Sequence, residues 1–226
     1  MDKEFEKKIE AAMSVAFVGE ALSPFFLNDP CTGSASAAFA AMSKLNAYEA
    51  SREWPFVDPA DAFRALSLMV DGLGGADISE SEEEFTADDA LVDEYRRLFI
   101  GPAPKPAPPW GSVYTDRDCV VFGESTLALR AWLSEKGIVR MSDERTPEDH
   151  IGLMLALMSY IARTQTGDLV EYLQLHLLPW SSHFLQELSA AAEHPFYRGL
   201  SELTNMSLSG IQEALGIKVS IPRFYR

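Results

Sequence analysis

The chain is poor in the residues that build catalytic and metal centres. It has two cysteines and four histidines in 226 residues. Cys31 and Cys119 have no CxxC spacing and no neighbouring histidine set, which argues against a disulfide framework and a zinc site. GxSxG, HExxH, a Walker loop and a GxGxxG after a strand are all missing. Asp71-Gly72-Leu73-Gly74-Gly75 is glycine-rich but follows a helical pattern, so it lacks the strand-loop-helix setting that cradles a phosphate. His176 and His183 lie seven residues apart across Pro179-Trp180, a poor spacing for a metal, and read as capping or core residues. His194 before Pro195 reads as a turn residue. No cofactor, no metal and no enzymatic activity are expected.

Positive charge is also scarce. Lys and Arg number 19 against 34 Asp and Glu, a formal net charge of −15. That balance repels phosphate backbones and anionic lipid, and so argues against nucleic-acid partners. It favours basic partners, basic peptides among them, and equally keeps a protein in solution. No uninterrupted apolar run reaches the roughly 18 residues of a membrane span, so no stable membrane insertion is expected. The opening MDKEFEKKIEAAMSVAF lacks the long apolar core and small-residue cleavage site of a secretory signal. With the cysteine usage, this points to the cytoplasm.

What is present suits a soluble fold with a real core: 47% hydrophobic and 23% charged residues. Helical periodicity dominates. Phe5, Ile9, Ala12, Met13, Ala16 and Phe17 form one stripe, after which Ser23-Pro24 and Asn28-Asp29-Pro30 break the chain. A second helix is expected over 36–50 and a third from Asp58-Pro59 to the glycines at 72, 74 and 75. The acidic run 80–84 reads as a solvated loop. Thr86 and Asp89 form a helix-start signature before Leu91, Val92, Tyr95, Leu98 and Phe99, and Gly101-Pro102 ends that helix. Prolines 104, 106, 108 and 109 make 103–110 extended and stiff. Val113-Tyr114 and 119–122 read as short extended pieces. A helix over 124–136 closes at Gly137. Thr146-Pro147-Glu148-Asp149 reads as N-cap, first-turn proline and first-turn acids. The helix that follows, 151–161, is apolar enough to be central. Pro179 and Pro195 divide the rest. The predicted class is all-α, about ten helices in one domain over 1–226, with subdomains 1–137 and 146–226 joined by a connector at 138–145.

Two segments stand out as a site. In YRRLFIGPAPKPAPPWGSVY, at 95–114, a charged helix end passes into a rigid loop carrying Trp110. That indole is either a plug over the core or the wall of a groove. In TPEDHIG, at 146–152, Asp149 and His150 are adjacent, so they do not face each other on a helix. The helix start favours the Asp anion and a neutral imidazole. Such a pair suits a guanidinium or a peptide backbone; alternatively, Asp149 caps its own helix and His150 packs.

At these residues the chain resembles the TorD/DmsD family of redox-enzyme maturation chaperones, in its dimethyl sulfoxide reductase branch. The similar stretches are RLFIGP (97–102), PPWGSVY (108–114), FGESTLALR (122–130), PEDHIG (147–152), HLLPW (176–180) and EHPFYRGL (193–200). The resemblance implies a cytoplasmic, non-enzymatic, all-helical chaperone. Its partner would be the twin-arginine signal peptide of a molybdopterin oxidoreductase precursor, held back from export until its cofactor is inserted. The family's signal-peptide positions carry over to Tyr95, Leu98, Phe99, Trp110, Gly123, Asp149 and His150, with Glu124 and Glu148 as a further anionic edge. Ala103 stands where some close relatives have an aromatic. The resemblance leaves open a role as assembly chaperone on the mature apoprotein of a trimethylamine N-oxide reductase or formate dehydrogenase type. It also leaves open a monomer or a dimer swapped through the connector.

Overall fold

A computed structural model describes residues 3–74, 85–139 and 146–226. The acidic run 80–84, Gly75 and most of the connector, 140–145, lie outside the described residues. The described chain is all-α. In order it forms α1 (Lys3–Leu27), α2 (Gly33–Ser43), α3 (Ala47–Glu53), α4 (Pro59–Asp71), α5 (Asp89–Tyr95), α6 (Gly111–Thr115), α7 (Glu124–Glu135), α8 (Ile151–Thr164), α9 (Leu169–Tyr172), α10 (Leu178–Ala191) and α11 (Pro195–Ala214). Two π turns, Arg96–Ile100 and Leu173–Leu177, extend α5 and α9.

Several boundaries differ from the sequence pattern. Pro24 lies inside α1, which ends three residues later, and the Pro24 carbonyl accepts from both the backbone and the side chain of Asn28, each at 3.0 Å. The single helix expected over 36–50 is two, because Asn46 caps α3 through the amides of Tyr48 and Glu49. Asp88, not Thr86, caps α5, bonding Leu91 N–H at 2.7 Å. Val113-Tyr114 is helical rather than extended, since it lies within α6. Gly101 stops the π turn as expected, at a φ of 96° that an L side chain resists.

The chain divides into two compact units. One comprises Met1–Ser23, Pro109–Phe184 and Leu215–Arg226; the other comprises Pro24–Pro108 and Leu185–Ala214. In the first, α8 is the central helix that its composition predicts, with Ile151, Leu155, Met158 and Ile161 fully buried. α1 crosses it closely: a Cβ at Gly19 would lie 2.3 Å from the Leu155 carbonyl, and Arg163 bonds Glu20. The buried face of α1 is Ala12, Val15, Ala16, Val18 and Leu22, whereas Ile9, Met13 and Phe17 of the expected stripe are about half exposed. Residues Glu6–Leu27 are long and apolar enough to cross a membrane by length and composition, with a mean hydropathy of 1.3, and half of that span is buried inside the protein.

The second unit is built on α4 packed against α11. Gly199 allows the approach, since a Cβ there would lie 2.5 Å from the Ala65 carbonyl. Phe25, Phe39 and Phe196 form an aromatic cluster with centroids 5.0–5.2 Å apart. Glu94, only 6% exposed, ties two of the sequence motifs together. Arg97 donates to both its oxygens, at 2.7 and 2.9 Å, and also to the Ala191 carbonyl. The amides of Glu193 and His194 donate to Glu94 Oε1 at 2.7 and 3.2 Å. Burial pushes the Glu94 carboxyl up, but these four donors outweigh it and hold it below the usual range.

Glu94→Ala strands the two amides and the guanidinium, and is expected to destabilise by at least about 1–3 kcal/mol, read from urea unfolding. Because the folded pKa is depressed, the carboxylate's contribution is full above the ordinary glutamate pKa of about 4.3 and is lost as pH falls through the lower folded value. The margin of the natural chain over Glu94→Gln should shrink across that acid window.

Candidate functional site

In the first unit the loop before α6 and the loop before α8 are joined by a short ladder. Ile151 N–H donates to the Pro109 carbonyl at 2.8 Å and Gly111 N–H to the Asp149 carbonyl at 3.2 Å. Trp110 and His150 form the antiparallel bridge between them. Pro109 has no N–H to compete, and Gly111 lets the loop lie against Trp180, whose indole nitrogen would be 2.7 Å from a Cβ there. The ladder places Asp149 at the start of α6, where Ser112 N–H donates to Oδ2 at 2.7 Å. Asp149 therefore caps another helix and not its own, contrary to the first-turn placement read from TPED. α8 begins later than expected, at Ile151, and its N-cap is His150, whose Nδ1 accepts from Gly152 N–H at 3.2 Å. That bond fixes His150 Nδ1 without a proton.

Asp149 is 3% exposed. Burial pushes its carboxyl above the ordinary aspartate value, opposed by the Ser112 amide and the Ser112 and Thr126 hydroxyls. Both hydroxyls and Asp149 Oδ1 are buried, and none of the three makes a hydrogen bond in good geometry. Asp149 lines a cleft of about 450 Å³ with Gly111, Thr115, Ser125, Leu129, Met154, Gln174, Leu175, His176, Pro179 and Trp180. Its walls are mostly apolar.

The sequence pattern reads His176 as a capping or core residue and gives Trp180 no separate role; both line the cleft. Pro179 explains why they face the cleft. It has no N–H for the Leu175 carbonyl and its ring would crowd that carbonyl, and the π turn Leu173–Leu177 widens the backbone just before it. The His176 carbonyl accepts from Trp180 Nε1 at 2.9 Å. Burial pushes the His176 imidazole down to about 4, so it is neutral at pH 7 and its buried Nε2 has no hydrogen-bond partner.

The other expected site residues fall in different places. Trp110 is half-buried, its ring edge-on to His150 at 5.8 Å. Gly123 caps α7 and faces Asp116: a Cβ there would lie 1.7 Å from Asp116 Oδ2. Glu124 is exposed beside it. Burial first, and Glu124 next, push the Asp116 carboxyl up. Asp116 is thus a further acidic group that the motifs did not single out. Glu148 pairs with Arg130 at 2.6 Å, so it does not add an open anionic edge. Tyr95, Leu98 and Phe99 belong to the second unit and are buried in its core, where Phe99 meets Phe26, Tyr95 and Tyr197 at 5.2–6.0 Å.

The family model described as nitrate reductase delta subunit matches residues 59–187. The "Probable Tat proofreading chaperone DmsD" of Haemophilus influenzae is 46% identical over 136 residues, 60% of this chain and 67% of its own. The chain belongs to the TorD/DmsD family of redox-enzyme maturation chaperones. The Tat proofreading chaperone DmsD of Salmonella typhimurium is 42% identical over 141 residues, 62% of this chain and 69% of its own. The fold has a likeness in a candidate redox enzyme maturation protein from Archaeoglobus fulgidus, at a TM-score of 0.50 and 19% identity over 86% of this chain and 93% of that one. Members of the family are maturation and proofreading proteins, not catalysts.

Asp149→Ala leaves the Ser112 amide without an acceptor and is expected to cost about 1–3 kcal/mol in urea unfolding. Asp149→Asn keeps an acceptor oxygen in place and should cost clearly less, which separates the capping role from the charge.

Proposed function

We propose that the chain is a cytoplasmic chaperone, not inserted in a membrane, that binds the twin-arginine signal peptide of a molybdopterin oxidoreductase of the dimethyl sulfoxide reductase type. It holds the precursor until folding and cofactor insertion are complete. The observation that carries this reading is the cleft of the first unit, apolar along its walls and with a buried carboxylate at Asp149. A twin-arginine signal joins cationic residues to an apolar stretch, and such a cleft offers a counterpart to each. Relatives named as Tat proofreading chaperones support it. The net charge of −15 adds attraction at long range. Trp110, Gly123, Glu124 and His150 belong to the proposed site around Asp149. Tyr95, Leu98 and Phe99, buried in the core of the second unit, are not part of this cleft. The protein acts as a monomer in this reading.

Calorimetric titration with the leader peptide of a dimethyl sulfoxide reductase catalytic subunit tests it. Replacing both arginines of the peptide should weaken binding by at least about tenfold, the loss of one charge-assisted contact. Equal affinity for the two peptides would remove the cationic half of the reading.

The acid limb supplies a second test. Since the Asp149 carboxyl is raised, it takes up a proton at a pH above the ordinary aspartate value of about 3.9. Affinity for the leader should therefore begin to fall at a higher pH than an exposed aspartate would give. Asp149→Asn should bind more weakly at neutral pH and lack that limb; an unchanged limb in this variant would assign it to another group.

A further inference from the structure

After α11 the chain turns at Gly216, with a φ of 63°, and runs without helix to 226. Ile217 is buried, at 6% exposure, and fixes the start of this segment. The rest lies on the first unit, held at points either side of the cleft. Gln174 Nε2 donates to the Lys218 carbonyl at 2.7 Å. Tyr225 N–H donates to the Tyr114 carbonyl at 3.0 Å. Phe224 stacks on His183 with centroids 4.3 Å apart and planes 9° apart. Between these anchors, Ser220 and Pro222 line the same cleft as Asp149 and His176.

The composition of the segment is unlike that of the rest of the molecule. Residues 217–226 read IKVSIPRFYR, with three cations, no acid and five apolar or aromatic side chains, in a chain of net charge −15. It is an extended, cationic and apolar peptide, the chemistry of the ligand proposed for the same cleft. The His183 ring nitrogen also meets the Arg226 carbonyl at 3.1 Å. Much of the segment's surface is nonetheless open to solvent, with Ile221 and Tyr225 63% and 44% exposed. A segment with few buried contacts opens at low free-energy cost.

We propose that residues 219–226 are an internal strap that closes one side of the Asp149 cleft and competes with the leader peptide. The inference rests on the reading of that cleft as the leader site. In the absence of a client the strap covers the apolar wall; a leader with two arginines and a longer apolar stretch displaces it. Apparent affinity is lowered by the fraction of time the strap is seated.

The test compares three chains by fluorescence anisotropy, with a labelled leader peptide of a dimethyl sulfoxide reductase catalytic subunit. The first is the full chain. The second lacks 219–226 and retains the buried Ile217. The third is the full chain with Tyr225→Pro and Phe224→Ala, which removes the backbone donor and the stack, and its fold is checked by thermal melting. Both altered chains are expected to bind the leader about three- to tenfold more tightly than the full chain. A synthetic SIPRFYR peptide should then compete with the leader on the shortened chain. Leader binding that is equal or weaker in the released-strap variant, or no competition by SIPRFYR, overturns the strap and leaves the leader reading intact. No leader binding by any of the three chains overturns both.

Discussion

Three amides hold the cleft of the first unit in shape: Ile151 N–H on the Pro109 carbonyl, Gly111 N–H on the Asp149 carbonyl, and Ser112 N–H on the Asp149 side chain. Together they pin the proline-rich loop to the start of the central helix. Each residue in that ladder has a reason in its chemistry. Pro109 offers a carbonyl and no donor, Gly111 leaves room for the Trp180 indole, and His150 uses its own ring to begin α8. Asp149 is left with one oxygen committed to α6 and the other buried beside the cleft without a partner. A buried acceptor in that state favours a cationic donor over water-like or apolar company.

The chain's acidity is less available than its total suggests. Glu94 is spent on Arg97 and two amides, Glu148 on Arg130, and Asp168 and Glu171 on Lys136, each at 2.7 Å for the last pair. Among the described residues, Asp149 lines the cleft and Asp116 bonds Ser125 of its lining, with Glu124 beside it. Net charge therefore acts as a long-range field that gathers cations. Selection among them falls to a small number of carboxylates in an apolar setting.

The legibility of the fold differs from that of the site. α8 was readable because its apolar run Ile151 to Ile161 carries no charge, and α4 because Asp58-Pro59 is a strong start signal. The caps expected at 86 and 146 were misplaced by two and four residues, because a later capping side chain won the amides: Asp88 for α5, His150 for α8. The short α6 was unreadable, since its cap comes from Asp149, 37 residues away in sequence. Of the residues that line the candidate cleft, Asp149 alone was singled out by its motif. His176 and Trp180 were not, because a histidine beside a proline carries no local sign of which way a π turn will aim it. The role of 217–226 was equally hidden: nothing in its composition says which surface an extended segment will lie on.

The central claim is that the cationic end of a twin-arginine leader enters the cleft beside Asp149. The most direct measurement places a photo-crosslinking residue next to the arginine pair of the leader and maps the adducts on the full chain by mass spectrometry. The account predicts adducts on Leu175 to Trp180 and on residues near Asp149, lost when the arginines are replaced. Adducts confined to surfaces away from these residues, in a peptide that still binds, would contradict it.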